Sequence, residues 1–155
     1  MIELWVSEKG CHNTLQTKKN SLFLVPIMVT QITKGIKISV DTFFKGTYQK
    51  ESKLHYAFEY SISIENQSSE VVQLNSRHWV ILDSLNKEEV VNGEGVIGKK
   101  PVIRPGQTHK YKSGCLLSSP FGAMYGYYRM INLGNTNRFN VIIPSFKLSA
   151  PFATN

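Results

Sequence analysis

What this 155-residue chain has little of narrows its function before any motif is considered. It carries two cysteines, Cys11 and Cys115, far apart and with no C-x-x-C. That excludes a disulfide framework and a thiolate zinc site, and it fits a reducing, cytoplasmic setting. None of the four histidines has a second histidine or cysteine at i+2, i+3 or i+4, and no serine sits in a nucleophile elbow. The longest apolar run, "SLFLVPIMV" (Ser21 to Val29), is about half of the ~20 residues a bilayer crossing needs. It contains Pro26 and lacks a small-residue cleavage site after it, so neither membrane insertion nor a secretion signal is expected. Acid is also scarce, with 11 Asp and Glu against 18 Lys and Arg, a formal net charge of +7. The excess favours contact with anions, although scattered surface lysines produce the same total. No motif for reading nucleic-acid sequence accompanies it, so specific nucleic-acid binding is not expected.

What the chain does have is alternation. In "LHYAFEYSISIEN", Leu54, Tyr56, Phe58, Tyr60, Ile62 and Ile64 fall on one face, with Ala57, Glu59, Ser61, Ser63 and Glu65 on the other. This period of two predicts an antiparallel strand with one face buried and one wet. "GIKISV" repeats it with Ile36, Ile38 and Val40, which are expected to form the first strand. "VVQLNSRHWVILD" predicts one or two strands, "EEVV" a short one, and "THKYKSGCLL" another after a Pro105-Gly106 turn. "AMYGYYRMI" and "FNVIIPSFKLSA" form a hairpin across "GNTN", with Pro144 at an edge or a bulge. No helical period competes. Seven or eight antiparallel strands predict an all-β sandwich of the immunoglobulin or fibronectin type III kind. Residues 1–27 read as a disordered tail or a gene-start artefact with translation beginning at Met28, which leaves one domain over 28–155.

"GEGVIG" matches the dinucleotide-binding spacing G-x-G-x-x-G. That fingerprint needs a helix opening at its last glycine and an acid about twenty residues on. "KKPVIRPG" follows instead, and its two prolines forbid the helix. What remains is a glycine-rich connection. Gly93, Gly95 and Gly98 are expected to leave backbone N–H groups free as an anion nest, with Lys99, Lys100 and Arg104 beside them and Lys110 and Lys112 on the next strand. A tight turn with solvated lysines accounts for the same residues. Asp83, Glu88, Glu89 and Glu94 crowd the approach to this loop, where a hard cation such as magnesium would be held, but no fixed spacing links them. Cys115 alternates as a strand residue and is expected to be a buried small hydrophobe. In "SRHW", Trp79 and Ile81 are expected in the core, with His78, Val80 and Leu82 on the opposite face. No cofactor is called for, and the residues contain no catalytic set.

The order of these segments is similar to that of the ApaG family. "NSRHWVILD", "GEGVIGKKPVIRPGQ", "YKSGCLLSSPFGAMYGYYRM" and "FNVIIPSFKLSAP" follow the family's S-R-H-W, G-x-G-V-x-G, S-G-C, M-x-G-x-Y and I-P-x-F signatures over residues 28–155. The resemblance makes Arg77, His78, Trp79 and Cys115 family-motif positions, and Asn75 departs from the leucine usual there. It implies a fibronectin-type sandwich, an association with cobalt resistance and magnesium efflux, and use as a protein-interaction module. Two functions then stand: a non-enzymatic module acting on Co2+/Mg2+ homeostasis through a protein partner, or a binder of nucleotide, pyrophosphate or polyphosphate at the glycine loop.

Overall fold

The structure, a computed structural model, describes residues 28–85 and 88–151. The expectations about residues 1–27 lie outside them. Among the described residues nine strands run β1 (Val29–Thr33), β2 (Ile36–Lys50), β3 (Lys53–Asn66), β4 (Val72–Asp83), β5 (Glu89–Glu94), β6 (Val102–Ile103), β7 (Thr108–Leu117), β8 (Phe121–Asn132) and β9 (Arg138–Ser149). They pair antiparallel in two sheets, β1-β2-β3-β7 and β5-β4-β8-β9, with β6 against the start of β4. The expected all-β sandwich is what forms.

The strand count exceeds expectation for identifiable reasons. β1 precedes the strand expected to be first. Its residues Thr30, Gln31 and Ile32 are exposed, so no apolar alternation announces it. A two-residue turn joins it to β2, with Lys34 and Gly35 both at positive φ. β6 is only two residues long. "VVQLNSRHWVILD" makes one strand, but with a bulge between Leu74 and Ser76. The extra residue resets the alternation, so Val72 and Leu74 before it and Trp79 and Ile81 after it are all buried.

Core aromatics join the sheets. Trp79 is 1 % exposed, with ring centroids 5.6 Å from Tyr60, 5.9 Å from Phe146 and 6.4 Å from Tyr128. Tyr111 and Tyr128 share a short hydroxyl–hydroxyl hydrogen bond across the interior. Along one side the sheets are pinned together: Ile142 N–H donates to Thr33 Oγ1 at 3.2 Å and Thr42 Oγ1 to the Lys147 carbonyl at 3.4 Å. The edges on the other side are β7 and β5. Pro144 occupies the edge strand β9, opposite a bulge between Met124 and Gly126, as its missing N–H requires.

Candidate functional site

The glycine loop sits at the β5 edge, and its three glycines do three different jobs. Gly93 lies within β5 and pairs with Arg77 of β4. A β-carbon at Gly93 would stand 2.6 Å from the Arg77 guanidinium carbon, so the glycine leaves room for that side chain. Gly95 has φ +56, and a β-carbon there would meet the Lys99 carbonyl at 2.1 Å. Gly98, at φ +69, has nothing within 4 Å of the added carbon. Ile97 between them also has positive φ, an uncommon conformation for a β-branched residue.

The free-amide nest needs correcting. Gly95 N–H donates to the Asn75 carbonyl at 2.7 Å, Val96 N–H to Lys99 at 2.8 Å and Lys99 N–H back to Val96 at 3.0 Å. The Gly95 amide is thus spent on β4, and those of Val96 and Lys99 on closing the loop. The expected basic cluster is also divided. Lys100 Nζ pairs with the Glu94 carboxylate, which lowers the Glu94 pKa through that hydrogen bond and charge. Lys112 reaches Glu59 at 3.4 Å. Lys99, Arg104 and Lys110 are exposed.

Arg77 ties the two motifs together. Its Nη1 donates to the Glu94 carbonyl at 3.0 Å and the Gly95 carbonyl at 2.8 Å, clasping the loop from beneath. Asn75 supplies the third anchor through its carbonyl at the bulge, where a main-chain role tolerates the change from leucine. His78 faces the opposite way, with its ring stacked on Tyr127 at 4.7 Å and Nδ1 2.7 Å from Asn92 Oδ1. Arg129 lies over the same Tyr127 ring at 5.8 Å. Asn92, Tyr127 and Arg129 escaped sequence reasoning, because cross-strand neighbours cannot be named until the register is known. Val80 shares the outward face but is 6 % exposed, flanked in register by Val90 and Tyr125.

The acidic residues are not gathered. Glu89 and Glu94 are five positions apart on one strand, about 16 Å, and so cannot share an ion. Glu88 is exposed before that strand. Asp83 is occupied structurally, accepting the Ser118 N–H at 2.6 Å and the Leu85 N–H at 3.1 Å. Among the described residues no group of three or more His, Cys, Asp and Glu could hold a metal ion.

Cys115 is fully buried, 3.8 Å from the Met124 sulfur. Burial pushes its thiol up to about 12, away from the thiolate a nucleophile needs. Burial also raises Tyr60 to about 12, against a hydrogen bond with Ser113, and raises Tyr111 and Tyr128. Folded pKa values above the unfolded ones mean that the folded chain keeps protons the unfolded chain releases. Stability is therefore complete below the unfolded values and is lost as pH rises past them. The unfolding free energy is expected to be flat between about pH 7 and 8.5. It then falls by about 1.4 kcal/mol per pH unit for each group, cysteine first and the tyrosines from about pH 10. Denaturant titrations across this range check it, and Cys115→Ala should remove the earliest part of the fall.

Fold and site together define an antiparallel β-sandwich whose edge carries a glycine loop clasped by an arginine. The family model for the ApaG domain matches residues 46–132. Protein ApaG of Beijerinckia indica is 40 % identical over 126 residues, 81 % of this chain and 96 % of that one. Protein ApaG of Mesorhizobium japonicum is 42 % identical over 125 residues, 80 % of this chain and 95 % of its own. A solved structure of a Bordetella pertussis protein described as ApaA superposes with a TM-score of 0.69 at 34 % identity, covering 81 % of this chain and 98 % of that one. The chain belongs to the ApaG family. Among the described residues no helix is long and apolar enough to cross a membrane.

Proposed function

We propose that the protein is a non-enzymatic interaction module that takes part in Co2+/Mg2+ homeostasis by contacting a protein partner in the cytoplasm. The observation that carries this reading is the Arg77 clasp. A loop held by two bonds to its carbonyls and one to the Gly95 N–H is set in one shape before any partner arrives, which lowers the entropy cost of binding. The buried thiol of Cys115 and the main-chain duties of Asp83 also leave these groups little scope for chemistry. The cation association comes from the family resemblance alone.

The test is made in the native host. Cells lacking the gene should become sensitive to Co2+, with wild-type protein restoring growth and Gly95→Glu failing to do so. Affinity capture with the same pair should recover a divalent-cation transporter or its regulator with the wild type alone. Identical partners and equal rescue would remove the loop from the function. The second reading, a nucleotide or pyrophosphate binder, rests on the exposed Lys99 and Arg104. Calorimetry with ATP, diadenosine tetraphosphate and pyrophosphate at low salt tests it, and no heat from any of them would reject it.

A further inference from the structure

On the side where β7 and β5 are the sheet edges, a cavity of about 170 Å³ opens between β7 and the loop. It is lined by Arg77, Tyr60, Tyr111 and Ser113, with Val96 to Gly98 of the loop on one side and Trp79 among the lining residues. Arg77 spends Nη1 on the two loop carbonyls, and no carboxylate is paired with it among the described residues. A partly buried guanidinium without a counter-ion is costly, and a carboxylate entering the cavity would supply one.

The rim shares this preference. Lys99 is exposed and directly follows Gly98 of the cavity lining. Lys110 is exposed on β7, on the face opposite Tyr111 and Ser113, and so lies outside this rim. Among the described residues β7, ten residues long, pairs only with β3, so alternate N–H and C=O groups point away from the sheet along its other edge. Tyr111 and Ser113 of this strand face the cavity. A strand laid along that edge would direct every second side chain to the same side.

We propose that the β7 edge is a docking groove for an extended acidic segment of a partner protein, which pairs with β7 by its main chain and places one Asp or Glu carboxylate on Arg77. This deepens the interaction-module reading and rests on it. A second copy of this chain is disfavoured as the occupant, because pairing two β7 edges about Tyr111 would set Lys110 of each copy against Lys112 of the other.

The groove is tested by titrating isotope-labelled protein, as the full chain, with a capped peptide of about ten residues alternating Thr and Glu, and with its Thr-Gln counterpart, while following backbone amide resonances. The Glu peptide should shift amides of Val96 to Lys99 and of Thr108 to Leu117 at roughly millimolar concentration, and the Gln peptide should bind about tenfold more weakly. Arg77→Gln retains an N–H donor for the loop carbonyls and should weaken the Glu peptide by about tenfold. Should that variant misfold, Lys99→Glu changes only an exposed rim residue and should also weaken it. Equal binding of the two peptides, shifts confined to the face around His78 and Tyr127, or no shift at all would overturn the proposal. If the Lys99→Glu variant still captures the native partners while neither peptide binds, the interaction reading stands and this groove falls.

Discussion

Trp79→Ala is expected to cost about 3–5 kcal/mol, a fall in melting temperature of roughly 6–20 °C for a domain of this size. The side chain is 1 % exposed and touches aromatics of both sheets, Tyr60 of β3 on one side and Tyr128 of β8 and Phe146 of β9 on the other. Removing it takes away the transfer free energy of the largest buried side chain and leaves a hole that three rings bound for other positions cannot fill. Thermal and denaturant unfolding measure the loss. A melting temperature unchanged by the substitution would show that the sheets are held elsewhere.

Gly126→Ala should be nearly as damaging, although it adds a single methyl group. Gly126 pairs with Trp79, and a β-carbon there would lie 1.9 Å from the His78 carbonyl oxygen and 3.0 Å from its carbon. Those are main-chain atoms, so no side chain can turn aside. β4 and β8 must part at the point where Arg77, His78 and Trp79 are mounted. We expect a loss of at least about 3 kcal/mol. Gly98→Ala is the control: the added carbon has open space there, and only the positive φ opposes it, worth about 1 kcal/mol. Similar losses at both positions would mean that backbone conformation, rather than close strand approach, explains the glycine of M-x-G-x-Y.

The parts of this fold legible in the sequence are those in which one residue type has one use. Alternation in β3 located the buried Phe58, Tyr60, Ile62 and Ile64 correctly, although Leu54 at its start is exposed where the strand runs past the core, and Ala57, assigned to the wet face, is buried opposite the bulge between Phe44 and Gly46. Pro144 lacks an N–H and so had to lie where none is needed. Trp79 and Ile81 were assigned to the interior and are there. The turn between the two longest strands was not legible. β2 and β3 are joined through Glu51 and Ser52, both at positive φ, and neither residue advertises that conformation.

The site was harder for a related reason. Its chemistry depends on main-chain groups and on one insertion in the pleat. Counting by twos from Leu74 sends Arg77 to the outside, and only the bulge after Leu74 places its guanidinium beneath the loop. The glycine spacing invited a phosphate nest, yet Gly93 is spaced by the arginine it must accommodate and Gly95 by the carbonyl it approaches. Sequence motifs that looked separate, S-R-H-W and G-x-G-x-x-G, are two halves of one contact.

A double-mutant cycle between Gly93→Ala and Arg77→Ala tests that claim directly. With Arg77 present, the new methyl group should push the guanidinium off the Glu94 and Gly95 carbonyls and cost about 1–3 kcal/mol. With Arg77 already truncated, the same methyl group has room and should cost close to nothing. The account therefore predicts a coupling energy of at least about 1 kcal/mol between the two sites. Losses that add to within about 0.3–0.5 kcal/mol would contradict it, because Gly93 would then be needed for something other than the arginine.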